Sequence, residues 1–329
     1  MDIKNDPTRN LALELVRVTE AAALASGRFM GRGDKEGADG AAVNAMRIIL
    51  QTVDMNGVII IGEGEKDNAP MLYNGENVGN GSGPDFDVAV DPIDGTRPLA
   101  FGRSNSLATV AIAPRGSMFD PGPFVYMNKL AVGPEARGSI DIEKPITENL
   151  KAIAKAKHKD VEDLTTIVLD RPRHEKVIAE IRASGARIRL IPDGDVAGAL
   201  MTALPDSGVD VLIGIGGTPE GVIAACALRA MGGEIQGKLY ARDEDELHRG
   251  REAGYDFDKI LTMEDLVSSE DVFFTATGIT DGELLKGVRY FGDSATTDSL
   301  VVRGMTGTVR QITATHQIDK LRQLSAVKY

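Results

Sequence analysis

An α/β fold with two closely packed subdomains built on mixed sheets is predicted by three observations. Beyond residue 165, short apolar runs alternate with helix-period segments at βα spacing. Before it, strands and amphipathic helices mix irregularly, and no Pro/Ser-rich linker marks the boundary near residue 155, so residues 1–155 and 156–329 read as the two subdomains. Acidic and Gly-rich clusters recur at the strand ends, where ligands bind in sheets of this kind.

The elements follow in order. Residues 10–30 carry Leu11, Leu15, Val18 and Ala22 at helical spacing, an amphipathic helix that starts near Asn10 and ends at Gly31-Arg32-Gly33. A polar loop precedes a second helix over 41–53, with Val43, Met46, Ile49 and Leu50 on one side. Asp39 stands at its start, where a carboxylate caps free N–H groups. The apolar run 58–61 predicts a buried strand. Gly62-Glu63-Gly64-Glu65 follows, and Glu63 reads either as part of a solvated loop or as an oxygen presented in a cleft. Strands are predicted over 86–90, 106–113 and 124–132, the last containing Tyr126 and Lys129, and then a helix over 147–157. The regular half gives strands over 166–169, 187–191 and 209–215, alternating with helices over 173–184, 196–204 and 221–231. A charged helix over 243–253 and strands within 271–279 and 299–317, returning to a sheet, complete the chain.

Composition narrows the function. The chain has 329 residues, 42% hydrophobic and 26% charged, with net charge −12. Such a charge repels nucleic acid and anionic membranes, and no basic patch offsets it. Lys151, Lys155, Lys157 and Lys159 read as one solvated helix face. No apolar run is long enough to span a membrane, and no secretory signal is visible, so a cytoplasmic location is expected. The single cysteine, Cys226, lies in an apolar run and reads as a buried, inert thiol. The four histidines are scattered, with only His174 near the strand-end clusters, which argues against zinc or a histidine triad. Gly214-x-Gly-Gly-x-x-x-Gly221 misses the dinucleotide-binding spacing.

The central stretch is Asp-Pro-Ile-Asp-Gly-Thr (91–96) after strand 86–90. Pro92 is expected to end the ladder, and Gly95 to permit a close turn. Asp91 and Asp94 could then converge, and two carboxylates at one point need a cation between them. Taken alone, the stretch is equally an ordinary Asp/Pro/Gly turn. The other strand ends carry Glu63, Asp170-Arg171-Pro172-Arg173, Asp193-Gly194-Asp195 and Gly216-Gly217-Thr218-Pro219-Glu220. Carboxylates suited to metal and arginines suited to phosphate, repeated at strand ends, point to a metal-dependent phosphate-ester site.

The chain resembles the class II, GlpX-type bacterial fructose-1,6-bisphosphatases from about residue 11 to 310. The resemblance is carried by segments 31–47, Ile-Gly-Glu-Gly-Glu (61–65), Asp-Pro-Ile-Asp-Gly-Thr (91–96), Pro-Arg-His (172–174), Ile-Pro-Asp-Gly-Asp-Val (191–196), Gly-Ile-Gly-Gly-x-Pro-Glu-Gly (214–221) and Thr-Ala-Thr-Gly-Ile-Thr (275–280). The 91–96 motif is also similar to that of inositol monophosphatases and other lithium-sensitive phosphatases. The resemblance implies a layered αβαβα sugar-phosphatase sandwich, manganese or magnesium dependence with two or more ions, and a homo-oligomer, dimer or tetramer. It places metal ligation on Asp39 and Glu63 for one ion and on Asp91, Asp94 and Glu220 for another. Substrate contacts fall on Asp94, Gly95, Thr96, Tyr126, Arg171, Pro172, Arg173, Asp193, Gly194, Asp195 and Gly217. Two departures are Asp94, a glutamate in some relatives, and Pro98 in the loop after Thr96.

The implied reaction is two-metal hydrolysis of the 1-phosphate of fructose 1,6-bisphosphate, giving fructose 6-phosphate and phosphate. Thr96 orients the water, Asp39 or Glu63 holds or deprotonates it, and Arg173 with Tyr126 grips the other phosphate. The alternatives are a dual fructose-1,6-/sedoheptulose-1,7-bisphosphatase, an inositol-phosphate or nucleotide-3′-phosphate phosphatase, and a non-catalytic sugar-phosphate sensor. A substrate panel separates the enzymes, and ligand binding without phosphate release would mark the sensor.

Overall fold

The computed structural model describes residues 11–64, 71–122 and 124–329; Asn10 and Glu65, named above, lie outside them. Helices α1 (Leu11–Ser26) and α2 (Lys35–Leu50) precede strands β1 (Asn56–Ile61), β2 (Asn77–Val78) and β3 (Asp85–Asp94). A short α3 (Thr96–Ala100) leads to β4 (Leu107–Pro114), β5 (Tyr126–Val132) and α4 (Ile146–Ala156). The alternating stretch is β6 (Thr165–Leu169), α5 (Glu175–Ala183), β7 (Arg187–Ile191), α6 (Asp195–Met201), β8 (Val211–Gly217), α7 (Thr218–Met231) and β9 (Glu234–Leu239). Then come α8 (Glu244–Glu252), α9 (Met263–Leu266), β10 (Phe273–Gly278), β11 (Arg289–Phe291), β12 (Ser294–Arg303), β13 (Thr308–Gln317) and α10 (Ile318–Leu324).

Two mixed sheets result. The larger has the order β11-β12-β10-β4-β3-β1-β2, with β13 also paired to β12; the smaller has the order β7-β6-β8-β5-β9. Neither sheet is a consecutive stretch of chain, because β5 joins the smaller one and β10 to β13 return to the larger. Strand alternation sorts the side chains into layers. Val88 and Val90 of β3 pack with Leu15, Leu24 and Met46 of α1 and α2, on the outer face of the larger sheet. Ala89, between them, faces α7, where it joins Val222, Ile223 and Ala225. Met127 and Ala131 of β5 approach the same helical layer from the other sheet. Leu130 and Val132 point away, to Leu150 and Ile153 of α4 and Ile178 and Ile181 of α5. The layers are therefore α1/α2, larger sheet, α6/α7, smaller sheet and α4/α5, the αβαβα sandwich expected.

Several local expectations shift. Helix α2 begins at Lys35, not at 41, because Asp34 is its cap: Asp34 Oδ1 accepts the Gly37 N–H at 2.8 Å. Gly37 and Gly40 lie inside the first turns and lower the helical signal there. Asp39 is thus not the cap and its carboxylate is free for other work. The expected helical lysine face is only half solvated, since Lys157 and Lys159 both pair with buried Asp210 at 3.1 and 2.7 Å. The 299–317 stretch is a hairpin that pairs β12 with β13 and turns at Gly304–Thr306. Cys226 is fully buried, and burial pushes its thiol up to about 12, so it is inert. Among the described residues no helix is long and apolar enough to cross a membrane.

Candidate active site

The carboxyl ends of five strands meet where the two sheets approach. β1 runs parallel to β3, and β6 runs parallel to β7 and β8. Their ends deliver Glu63, Asp91/Asp94, Asp193 and Glu220 to one cleft, with Arg171 beside it, paired to Asp193. A cavity of about 330 Å³ is lined by Glu63, Asp91, Asp94, Thr96, Arg97, Asp193 and Glu220, among others. A larger cavity, about 520 Å³, lies between α1, α2 and α10. It has one buried acid, Glu20, and no gathered carboxylates, so the chemistry belongs to the smaller one.

A bulge explains how Asp91 and Asp94 come together. In a regular strand, residues three apart point to opposite faces. Here Asp91 pairs with Thr109 and Asp94 with Leu107, so three residues of β3 span two of β4. The extra residue turns both carboxylates to the same face. Pro92 does not end the ladder, as expected from sequence; it sits in the bulge, where its missing N–H costs no pairing. Gly95 follows with φ 96°, a left-handed conformation that caps α3. Pro98 is the third residue of α3, still in its first turn, where its lack of an N–H is tolerated.

Asp39 reaches the cleft from α2 and its Oδ1 accepts the Thr96 hydroxyl at 3.1 Å. Glu220 enters from the first turn of α7, just after the close approach at Gly217. A Cβ at Gly217 would lie 1.7 Å from Glu220 Oε2, so any side chain there would displace the Glu220 carboxylate. Burial raises the pKa values of all five acids. For Glu63 repulsion from Asp39 and Glu220 adds to it, lifting the carboxyl from 4.5 to about 7. Asp91 and Asp94 are raised well above the carboxylate range by burial and by neighbouring acids, including Asp94 and Asp195 respectively. Asp39 and Glu220 are raised too, burial being the larger cause. Asp94 Oδ2 and Glu220 Oε2 are buried without a hydrogen-bond donor. Among the described residues no three acids yet close on one point at metal-binding distance. The donor set nonetheless fits a hard cation: oxygen ligands only, repelling one another, with two buried oxygens lacking any proton donor.

The predicted substrate residues separate into two groups. Asp94, Gly95, Thr96 and Asp193 line the cleft itself. Gly194 is tight against it, its Cβ direction 3.5 Å from Asp94 Oδ2. Asp193 holds Arg171 at 3.3 Å. Tyr126 and Arg173 stand together at the rim, the guanidinium 5.1 Å from the ring centre. Arg173 also donates to the Ile215 carbonyl through Nε and Nη2, at 3.1 and 2.8 Å. Pro172 is exposed at the start of the turn between Arg171 and Arg173. Asp195 is buried and committed to Lys129, at 2.6 Å. His174 is structural: Nδ1 faces the Leu169 carbonyl at 2.7 Å, and Nε2 accepts the Ile215 N–H at 2.7 Å. Burial lowers its pKa, so a neutral ring ties the ends of β6 and β8 together.

Sequence reasoning missed two cations. Lys129 is buried within an apolar strand, and its Nζ also donates to the Gly217 carbonyl at 2.7 Å. A lone lysine inside a buried strand was the available signal, since such a charge needs a partner. Arg97, adjacent to the motif, lines the cleft.

The family model of the bacterial, glpX-encoded fructose-1,6-bisphosphatases matches residues 9–316. The chain is 49% identical over 325 residues to "Fructose-1,6-bisphosphatase 1 class 2" of Escherichia coli K12, covering 95% of this chain and 96% of that protein. The same identity and coverage hold for "Fructose-1,6-bisphosphatase class 2" of Escherichia coli O6:H1 and of Shigella flexneri.

Proposed function

Because this chain belongs to the glpX-encoded family of bacterial fructose-1,6-bisphosphatases, we infer that its carboxylate cleft hydrolyses fructose 1,6-bisphosphate at the 1-phosphate, releasing fructose 6-phosphate and phosphate. The observation that carries the metal-dependent form of this reading is the pair of donorless buried oxygens, Asp94 Oδ2 and Glu220 Oε2, among five mutually repelling acids. Asp39 and Glu63 would hold one manganese or magnesium ion, and Asp91, Asp94 and Glu220 a second. Bound there, divalent ions supply charge to the phosphoryl oxygens and acidify water.

The chain's own residues do the rest. Thr96 Oγ1, already positioned by Asp39, orients the attacking water. Asp39 or Glu63 takes the proton. A positioned base supplies only ~10²–10⁴ of an acceleration that can reach ~10²¹ for such esters. Electrostatics and positioning must provide most of it. Arg171, Arg173 and Tyr126 hold the phosphate that is not cleaved, while Asp193, Gly194, Asp195, Gly95 and Gly217 shape the sugar pocket. The reading extends to a homo-oligomer, dimer or tetramer, acting in the cytoplasm; light scattering on the purified protein measures its size.

Two expected outcomes test these roles. Arg173→Ala raises KM for the bisphosphate roughly tenfold with little change in kcat, the loss expected for one charge-assisted contact to a remote group. An unchanged KM removes Arg173 from the substrate site. The second outcome concerns pH. Glu63 binds its proton more tightly in the folded protein, with pKa about 7 against 4.5. The metal-free fold therefore binds more protons than the unfolded chain between pH 4.5 and 7, and loses stability as pH rises through that window. Saturating manganese should cancel the loss by occupying the ionised cluster. Melting temperatures from pH 5 to 8, with manganese and with chelator, should diverge as pH rises. Parallel curves would contradict the metal assignment.

A further inference from the structure

A strand at the edge of a sheet presents a row of unpaired N–H and C=O groups, and chains blunt such edges by shortening, charging or covering them. The edges here are guarded in those ways, with one exception among the described residues. β2 is two residues long and β11 three. β7 carries Arg187 and Arg189. β9 is covered at Gly237, which exchanges backbone bonds with Leu261 at 2.8 and 2.7 Å. β13 has none of these defences. It runs ten residues, pairs only with β12 in one unbroken register, and contains no proline, no acid and one permanent cation, Arg310. The Ile318 N–H donates to the Asp293 carbonyl at 2.8 Å, which sets the phase of the ladder: even-numbered residues of β13 exchange bonds with β12. The N–H and C=O groups of Val309, Gln311, Thr313 and Thr315 therefore point outward, and these four residues are exposed. The edge is also held straight. The Gln311 amide and the Thr313 hydroxyl both donate to buried Asp298 of β12, at 3.0 and 3.4 Å.

We propose that β13 is a subunit interface, pairing antiparallel with β13 of a second copy of this chain so that the two larger sheets become one. Three observations select a second copy as the occupant. Copies with a net charge of −12 repel one another, and an acid-free edge is where they can approach. The strand is also self-complementary. Centred on Ile312, the pairing sets Arg310 opposite Ala314 of the second copy and Val309 opposite its Thr315, so no like charges face each other and the outward backbone groups of both strands bond one another. Finally, the ends of the hairpin carry exposed apolar side chains, Met305 and Val309 at its turn and Leu324 on α10 after its other end. A two-fold axis brings each end of one copy to the opposite end of the other. Such an interface closes on itself, because each copy spends its one bare edge. The inference rests on the homo-oligomer reading and is independent of the chemistry in the cleft.

The test is the mass of the full chain in solution, by light scattering after size-exclusion chromatography, for wild type, Thr315→Pro, Thr315→Lys and Thr315→Val, each checked for folding by circular dichroism. Thr315→Pro removes an outward N–H without breaking a bond to β12, and proline is tolerated on an edge strand in that setting. Thr315→Lys keeps the backbone and sets an ammonium into the seam. The expected wild-type mass is two or four times the 35.0 kDa of one chain. Thr315→Pro and Thr315→Lys should each halve it, and Thr315→Val should keep it. Wild-type mass in folded Thr315→Pro and Thr315→Lys would overturn the β13 interface and leave the oligomer reading standing. A wild type with the mass of one chain would overturn both.

Discussion

Purified Asp91→Asn protein is expected to lose about 10³-fold or more in turnover while melting higher than wild type without metal. The activity loss follows from removing one oxygen ligand of the group that carries most of the rate, at 1.36 kcal/mol per factor of ten. The gain in stability follows from the same geometry. The β3 bulge forces Asp91 beside Asp94, and Glu220 and Glu63 add to the repulsion. The Asn amide oxygen can still accept the Ile93 N–H that Asp91 Oδ1 accepts at 3.0 Å. Neutralising the charge should stabilise the chelated protein by about 1–2 kcal/mol, or ~2–4 °C. Because the wild-type acid is protonated at low pH, the difference should shrink as pH falls and widen as pH rises. Calorimetric scans with chelator, beside a phosphate-release assay, measure both. Near-native turnover, or a lower melting point at pH 8, would remove Asp91 from the metal cluster.

Lys129→Met should have the largest effect on the fold. Its ammonium is nearly inaccessible and lies between Asp195 Oδ2 at 2.6 Å and the Gly217 carbonyl at 2.7 Å. Removing one partner of a buried pair leaves the other charge unpaired, at a cost of about 3–5 kcal/mol. Asp94 and Glu220 would also lose the cation that lowers their pKa values, so metal affinity should fall with stability. Adding Asp195→Asn to Lys129→Met should recover much of the stability, because the orphaned charge is then gone. Urea denaturation of the wild type, single and double variants gives the comparison. A single-variant loss under about 1 kcal/mol would mean that the pair is open to water.

A mixed sheet covered by helices was legible because β and α periods alternate cleanly after residue 165 and because buried strands such as 58–61 are continuously apolar, while the αβαβα layering was implied only by the family resemblance. The acid cluster was legible at Asp91 and Asp94, where turn chemistry and paired carboxylates coincide. The mechanism of their convergence was not. A bulge is a property of two strands, and nothing in Asp-Pro-Ile-Asp reveals that Thr109 and Leu107 are the partners. Asp39 read locally as a cap because glycines at 37 and 40 hide the first turns of α2. Arg97 was passed over since an isolated arginine in a loop carries no signal until the loop is folded beside the acid cluster. Lys129 needed the αβαβα stacking to show that its strand face meets Asp195.

The most direct measurement is phosphate release from the purified protein with fructose 1,6-bisphosphate, with manganese, without added metal, and with a chelator. The account predicts release that depends on manganese, stops with chelator, and disappears in Asp91→Asn. Folded protein that releases no phosphate with any divalent ion, or that releases it equally well in chelator, would contradict it.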